Sequence, residues 1–251
     1  MLKGNLEMCF TDASWLAEYM PSLTMFTTPY LYKDYNHMAK VLSGEIGTNL
    51  FDSIATEIGV RPLGAYYLGS RTINLRKDKE ITSRKDMEGI QLRVPNSATW
   101  IYMGKALGAN PVAMGFGDTY LALQTGAVDG QDNPLGGTLN AKFTEVTESV
   151  TLTNHSIGTV WLAIAEQVWQ EMDSDLQDKV MEAVSESKDW CDEYNLDSES
   201  KLAQEFRDLG LKVYEPDMTN YKNEVFGYYL DDVNMSGEWD MDLYNDIISQ
   251  M

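Results

Sequence analysis

The sequence predicts an α/β fold, and three observations lead there. Short apolar or alternating runs recur between segments whose apolar residues fall at helical spacing. The helical segments have the length of βαβ crossovers. No internal repeat, low-complexity tract or Pro/Gly/Ser-rich linker interrupts the alternation, so two lobes, if present, are joined without a floppy hinge.

Taken in order, LEMCF (6–10) reads as a short buried strand. Residues 34–43 and 45–58 read as helices, with Met38, Val41 and Leu42, then Ile46, Leu50, Ile54 and Ile58 at helical intervals. Gly59 is a natural stop for the second. VRPLGAYYLG (60–69) and TINLR (72–76) read as two strands, and TSRKDMEG (82–89) as a short capped helix. GIQLRVPNS (89–97) alternates like a strand and stops at Pro95. A helix follows with Trp100, Met103 and Leu107 on one stripe and Gly108 as its stop. Then come NPVAM (110–114) as a strand, 117–126 as a helix, AVDG (127–130) entering a strand, and NPL (133–135) opening another helix. Residues 145–165 are largely β-branched and apolar, hence strand. From Asp173 a long helix is expected to run to about Leu209, with Ser174 and Gln177 as a capping box and Met172, Leu176, Val180 and Val184 as its buried stripe. KVYEP (212–216) is a last strand, before helical stretches that end at Met251.

Composition narrows the function. The 251 residues are 43% hydrophobic, enough to build a sizeable core. Acidic residues number 39 against 19 basic, a net charge of −20, which excludes a nucleic-acid binder dependent on a cationic face. A small anionic ligand stays possible, because surface charge is screened over roughly 8 Å at physiological salt and a few local arginines outweigh it. The two cysteines, Cys9 and Cys191, read as separate buried thiols, with a disulfide between them as the open alternative. With two histidines and neither HExxH, CxxC nor EF-hand spacing, no metal site is expected, and no cofactor motif is present. No apolar run is long enough to span a bilayer, and MLKGNLEMCF lacks the h-region and cleavage site of a signal peptide; as written, the chain would stay where it is made, in the cytoplasm.

The arginine of GIQLRVPNS is the first functional signal. In open α/β sheets, ligands lie beyond the carboxyl ends of the strands, where helices begin. Arg93 stands at such an end, with Asn96 or Ser97 placed to cap the next helix. A guanidinium fork there is a receptor for a carboxylate or phosphate. The plainer alternative is an ion pair with Asp86 or Glu88.

The succession of motifs resolves this. GIQLRVPNS (89–97), ALGANP (106–111), GFGD (115–118), ALQTG (122–126), VDGQDNP (128–134) and LTNH (152–155) follow one another at the spacings of the solute-binding proteins of tripartite ATP-independent periplasmic (TRAP) transporters, the DctP family, which the chain resembles. FTDASWLAEYMPSLTMFTTPYLYKD (10–34), LGSRTINL (68–75) and WQEMDSDLQDKVMEAVSES (169–187) extend the resemblance over nearly the whole chain, weakest near its end. It implies a two-lobed, clamshell periplasmic-binding-protein fold with a long inter-lobe helix. The expected division is 1–68 with 159–198 in the first lobe and 69–158 with 199–251 in the second. It also implies an organic-acid ligand, the membrane components of a TRAP transporter as partners, a monomer, no catalysis and a periplasmic location. C4-dicarboxylates, sugar acids, sialic acid and keto acids all suit the carboxylate grip.

The resemblance carries roles to particular residues. Arg93 would be the main carboxylate anchor and Arg71 a second arginine; Asn133 would hydrogen-bond the same carboxylate, and Phe116 would pack on the ligand's apolar side. Thr11, Asp12 and Trp15 would line the opposite wall and set which ligand fits, Asp12 favouring hydroxyl or amino groups. Each keeps an alternative: a surface ion pair for Arg71, a helix cap for Asn133, core packing for Phe116 and Trp15. His155 and Gln124 read as structural. Two departures stand out. Gly115 and Gly117 replace an alanine and a serine-like cap, with Asp118 expected to serve the helix N-terminus in their place. The family's signal peptide and first βαβ portion have no counterpart before MLKGNLEM, so the expected first lobe is N-terminally incomplete. Against a binding protein stand two alternatives: an enzyme on a similar frame using Asp129 and Asp132 as acid and base, and a binding lobe that feeds a chemoreceptor.

Overall fold

Two long antiparallel strands organise the molecule, a computed structural model of which describes residues 1–231 and 239–250. These are β2 (Val60–Leu75) and β6 (Ser149–Ala165). The short strand β1 (Met8–Thr11) pairs antiparallel with the far end of β6, Thr11 facing Trp161. On the other side β5 (Gly130–Pro134) joins β2 from Arg71 to Leu75, and β3 (Gln91–Val94) and β4 (Asn110–Ala113) extend the sheet in parallel. β7 (Lys212–Tyr214) lies parallel to the start of β6, so one mixed seven-stranded sheet runs through the protein.

Most helices form where their apolar spacing predicts them. α1 (Ala13–Leu16), α2 (Tyr35–Leu42) and α3 (Glu45–Ile58) cover the β1 end, and α3 stops at Gly59, whose φ of 79° a side chain would resist. α4 (Ala98–Ala106), α5 (Thr119–Thr125) and α6 (Leu135–Asn140) follow β3, β4 and β5. On α4 the predicted stripe of Trp100, Met103 and Leu107 is buried. The short α7 (Glu166–Glu171) leads into α8 (Ser174–Asp208), unbroken over 35 residues and so roughly 50 Å long. α9 (Thr219–Asp231) packs on α4, whereas α10 (Met241–Ser249) packs on α2, where the Ile247 carbonyl meets His37 Nε2 at 2.9 Å. The expected end of the last helical stretch, Met251, lies outside the described residues.

Five expectations need correction. β1 is not buried: as an edge strand it leaves Met8 and Phe10 exposed. The strands expected at 60–69 and 72–76 are one, because irregularities at Tyr67/Gly69 and Arg71/Ile73 bend β2 without ending it. The helix expected at 82–89 is a single 3-10 turn, Arg84–Met87, held by a Ser83–Asp86 capping box. At α8 the cap is Asp173, whose carboxylate accepts from Leu176 N at 2.9 Å; Ser174 is already helical, and Leu176 is exposed. Cys9 and Cys191 are half-buried, and both are free thiols.

Candidate ligand-binding site

The polar centre of the molecule is built on strand ends. Arg93, third of the four residues of β3, is only 2% exposed and donates from Nε and Nη2 to the Met114 carbonyl at 3.1 and 2.8 Å. The ion pair considered for it with Asp86 or Glu88 is absent: Asp86 is engaged by Thr82 and Ser83. One edge of the fork is thus fixed, which orients the guanidinium plane over the Phe116 ring at 5.8 Å. Ser97 caps α4, as one of the two expected candidates, through Trp100 N at 3.3 Å.

Arg71 lies across the sheet on β2. It is not in a surface ion pair but in a buried one: Nε meets Asp132 Oδ2 at 2.8 Å, Nη2 meets the Asp132 carbonyl at 2.7 Å, and the guanidinium stacks over Trp100 at 4.2 Å. Asp132 is fully buried and also faces His155 Nε2 at 3.3 Å. That contact depends on LTNH. Between Arg71↔Ser156 and Ile73↔Thr151, the single residue Thr72 of β2 faces residues 152–155 of β6. Asn154 takes the left-handed φ of 43° that asparagine tolerates, and this bulge brings His155 to Asp132. The motif signalled a backbone device as well as a side chain.

The electrostatics follow. Burial works to raise the Asp132 pKa, but Arg71 and His155 outweigh it and hold the carboxyl well below the usual range. Burial lowers His155 despite Asp132, favouring the neutral imidazole. Arg93 is pushed down to about 10, chiefly by burial and further by Arg71, with Asp132 opposing. Asp132 is paired with Arg71 alone, and Arg93, buried nearby, has no carboxylate in contact among the described residues, so the surplus positive charge favours an anion.

Asn133 reaches Gln131 Oε1 at 2.5 Å and makes no cap: α6 begins after Pro134 without a side-chain hydrogen bond, which removes the capping alternative. Phe116 is 48% exposed, not core, and leans on Phe143 at 5.4 Å. Asp118 sits at the N-cap position of α5 without a capping hydrogen bond. A cleft of about 540 Å³ is lined by Arg71, Asn133, Phe116 and Leu68 together with Tyr194 and Lys201 of α8. A second hollow of about 200 Å³ shares Leu68 and Arg71 and reaches Asp12, Trp15, Trp100 and Trp161. Leu68 and Arg71 of β2 thus belong to the lining of both.

In the smaller hollow, Asp12 is the N-cap of α1, accepting from Ser14 N at 2.7 Å and Trp15 N at 3.2 Å; burial raises its pKa despite these bonds. Trp15 is 45% exposed and not a packing residue. Thr11 is buried, but it lines a different hollow, beside Val60 and the first residues, so it stands apart from the arginines. Sequence reasoning missed Asp132 as the partner of Arg71, and also three buried donors around the smaller hollow, Tyr32 OH, Trp100 Nε1 and Trp161 Nε1, which have no hydrogen-bond partner among the described residues. Aromatic residues carry no sequence signal for an unmet donor. The two carboxylates considered as an acid and base have separate partners: Asp129 accepts from Gln91 N at 2.9 Å, and Asp132 is held in the Arg71 ion pair. A further cavity of about 740 Å³ lies between α3 and α10; it carries Glu45, Asp240 and Asp246 against the single Lys40, the wrong balance for an anion. Among the described residues no group of His, Cys, Asp and Glu could hold a metal ion, and no helix is long and apolar enough to cross a membrane.

The family model DctP, bacterial extracellular solute-binding protein family 7, matches residues 1–229. The chain belongs to this family. A solute-binding protein of Roseobacter denitrificans is 36% identical over 190 residues, 76% of this chain and 58% of that protein. A sialic acid-binding periplasmic protein of Vibrio cholerae is 28% identical over 99% of this chain and 74% of its own length. The chain thus spans little more than half of the first relative and about three quarters of the second. Among solved structures, a TRAP periplasmic solute-binding protein of Roseobacter denitrificans with bound 3-deoxy-D-manno-oct-2-ulosonic acid superposes with a TM-score of 0.96 at 32% identity, covering all of this chain and 83% of that one. A second from the same species, with bound L-galactonate, has a TM-score of 0.86 at 30% identity and covers 99% and 80%. The mixed α/β architecture is therefore the clamshell of TRAP solute-binding proteins.

Proposed function

We propose that this protein captures an organic acid outside the cytoplasm and delivers it to the membrane subunits of a TRAP-type secondary transporter, as a monomer and without catalysis. One observation carries the reading: Arg71 and Asn133 border a cleft, and behind them Arg93 is buried without a carboxylate partner, while Arg71 alone is paired with Asp132. In this reading Arg93 and Arg71 grip the ligand carboxylate through the donors that Met114 and Asp132 leave free, Asn133 adds a neutral donor, and Phe116 covers an apolar face. Asp12 and Trp15 select the remainder of the ligand from across the cleft. Thr11 is assigned an indirect part, placing Asp12 from the end of β1.

Acids bearing several hydroxyls fit best. The smaller hollow is ringed by unmet donors on Tyr32, Trp100 and Trp161, which a hydroxyl oxygen would satisfy after small side-chain adjustments. Two relatives of 30% identity or more hold such acids. The lobes proposed are 1–68 with 159–198 and 69–158 with 199–231; α10 is grouped with the first lobe because it packs on α2. The test is a thermal melt with a panel of 3-deoxy-D-manno-oct-2-ulosonic acid, galactonate, glucuronate, sialic acid and succinate. A cooperative transition raised by one or more of the hydroxylated acids is the expected result. A cooperative transition moved by none of the panel would overturn the reading.

A further inference from the structure

β5 meets β2 only from Arg71 to Leu75, so the edge of β2 that faces away from β6 has no neighbouring strand from Val60 to Ser70. Backbone groups on a buried edge need partners. Here α8 supplies them from one face. Asp192 Oδ1 accepts from Tyr67 N at 2.7 Å, Asn195 Nδ2 donates to the Tyr67 carbonyl at 2.8 Å, and Glu199 Oε1 accepts from Ser70 N at 2.7 Å. Glu199 Oε2 also accepts from the Tyr67 hydroxyl, and Asp192 Oδ2 is steadied by Tyr35 OH at 3.0 Å and Lys188 Nζ at 2.8 Å. Positions 192, 195 and 199 fall on one stripe of a helix. Three side chains thus continue the ladder where β5 stops.

The place they grip matters. Between Tyr67 and Gly69 the β2–β6 register shifts, and the displaced residue, Leu68, lines both hollows. Gly69 pairs with Gly158 at a φ of 105°, and a Cβ there would lie 3.0 Å from Pro134 and 3.7 Å from Glu199 Oε1. β2, β5 and β6 therefore converge beside the Glu199 carboxylate. Immediately beyond this point β2 presents Arg71 and β5 presents Asn133.

We propose that Glu199, with Asp192 and Asn195, is a positioning residue for ligand binding: the α8 staple fixes the 67–70 segment, and through it sets where Arg71 stands in the cleft. This role rests on the functional reading above. It ties the long helix to the carboxylate grip through hydrogen bonds that a shift of α8 against β2 would have to break.

The experiment compares Glu199→Ala and Glu199→Gln with Val184→Ala, a packing change on the same helix that leaves the staple intact. Amide hydrogen exchange is followed without added acid, and calorimetry with 3-deoxy-D-manno-oct-2-ulosonic acid, L-galactonate and D-glucuronate. Glu199→Ala is expected to speed exchange over 67–71 and to weaken the best-bound acid by about tenfold or more, the scale of one lost charge-assisted hydrogen bond. Glu199→Gln, whose amide oxygen can still accept from Ser70 N, should fall between. Val184→Ala should lower the melt while leaving affinity within about twofold. Should Glu199→Ala fail to fold, Tyr67→Phe, which removes the hydroxyl that Glu199 Oε2 accepts from and lines neither hollow, carries the same comparison. Native affinity in Glu199→Ala, or an equal loss in Val184→Ala, overturns the positioning role alone. Failure of the native protein to bind any of the three acids removes the functional reading, and this role with it.

Discussion

The two groups of residues proposed as facing walls of the binding site are built on different principles. The wall of Arg71, Arg93 and Asn133 is made of buried side chains on strand ends, each held by a second residue: Asp132, the Met114 carbonyl and Gln131. The wall of Asp12 and Trp15 is one short turn after an edge strand, with half the indole in solvent and the carboxylate occupied in capping α1. The first wall is preorganised and costly to disturb. The second can change with little cost to the fold, and that suits a division between gripping a carboxylate and choosing what is attached to it.

If so, the largest effects belong to the first wall. Asp132→Asn should destabilise the protein by about 3–5 kcal/mol, because Arg71 would be left buried without its counter-charge. The same variant sharpens the contrast: with two guanidiniums uncompensated, a carboxylate ligand should raise its melting temperature by more than it raises the native one. A smaller rise would mean that Asp132 serves ligand binding directly. Arg93→Lys follows. It keeps the charge and loses the planar fork, so affinity should fall by about 100-fold or more with the melt nearly unchanged, as read by calorimetry and thermal unfolding. Unaltered affinity would remove Arg93 as the anchor.

The pH dependence should be a property of the first wall too. Asp132 is depressed in the folded state, so its stabilising contribution is present above the unfolded carboxylate value of about 3.9 and is lost as pH falls toward the folded one. His155 is depressed below 6.5, so the unfolded chain takes up its proton first, and stability falls as pH drops below that value. Both slopes have the same sign. The melting temperature should decline from pH 6.5 downward and more steeply below about 4, and His155→Gln should flatten the upper part of the decline. An unchanged upper slope in that variant would assign it to other groups.

The difference between the walls also decided what the sequence disclosed. Motifs that occupy strand ends and turns, RVPNS, VDGQDNP and LTNH, locate Arg93, Asn133 and His155, because backbone geometry and chemistry coincide there. Helix limits at α3 and α4 were legible from glycine stops and apolar stripes. Pairings between distant residues were not. Nothing in single-sequence pattern says that Asp132 faces Arg71 across the sheet, that β2 runs through its bulges as one strand, or that Asp192 and Glu199 serve a strand edge more than 120 residues upstream. Nor does any pattern disclose that Thr11, next to Asp12 in sequence, lines another hollow, one strand position turning it away.

The smallest effects should come from the second wall, where they are also the most informative. Trp15 is 45% exposed, so Trp15→Ala should change stability by no more than about 0.5 kcal/mol. Asp12→Asn keeps a good capping residue on α1 and should be nearly as silent in a melt, whereas Asp12→Ala should cost about 1 kcal/mol through the lost cap. What both Trp15→Ala and Asp12→Asn should alter is the order in which acids are preferred, measured as relative affinities across the panel, while every carboxylate still binds. A uniform loss across the panel would place these two residues in the grip itself. An unchanged order would shift the choice of ligand to Tyr32, Trp100 and Trp161, the donors on the deeper side of the same hollow.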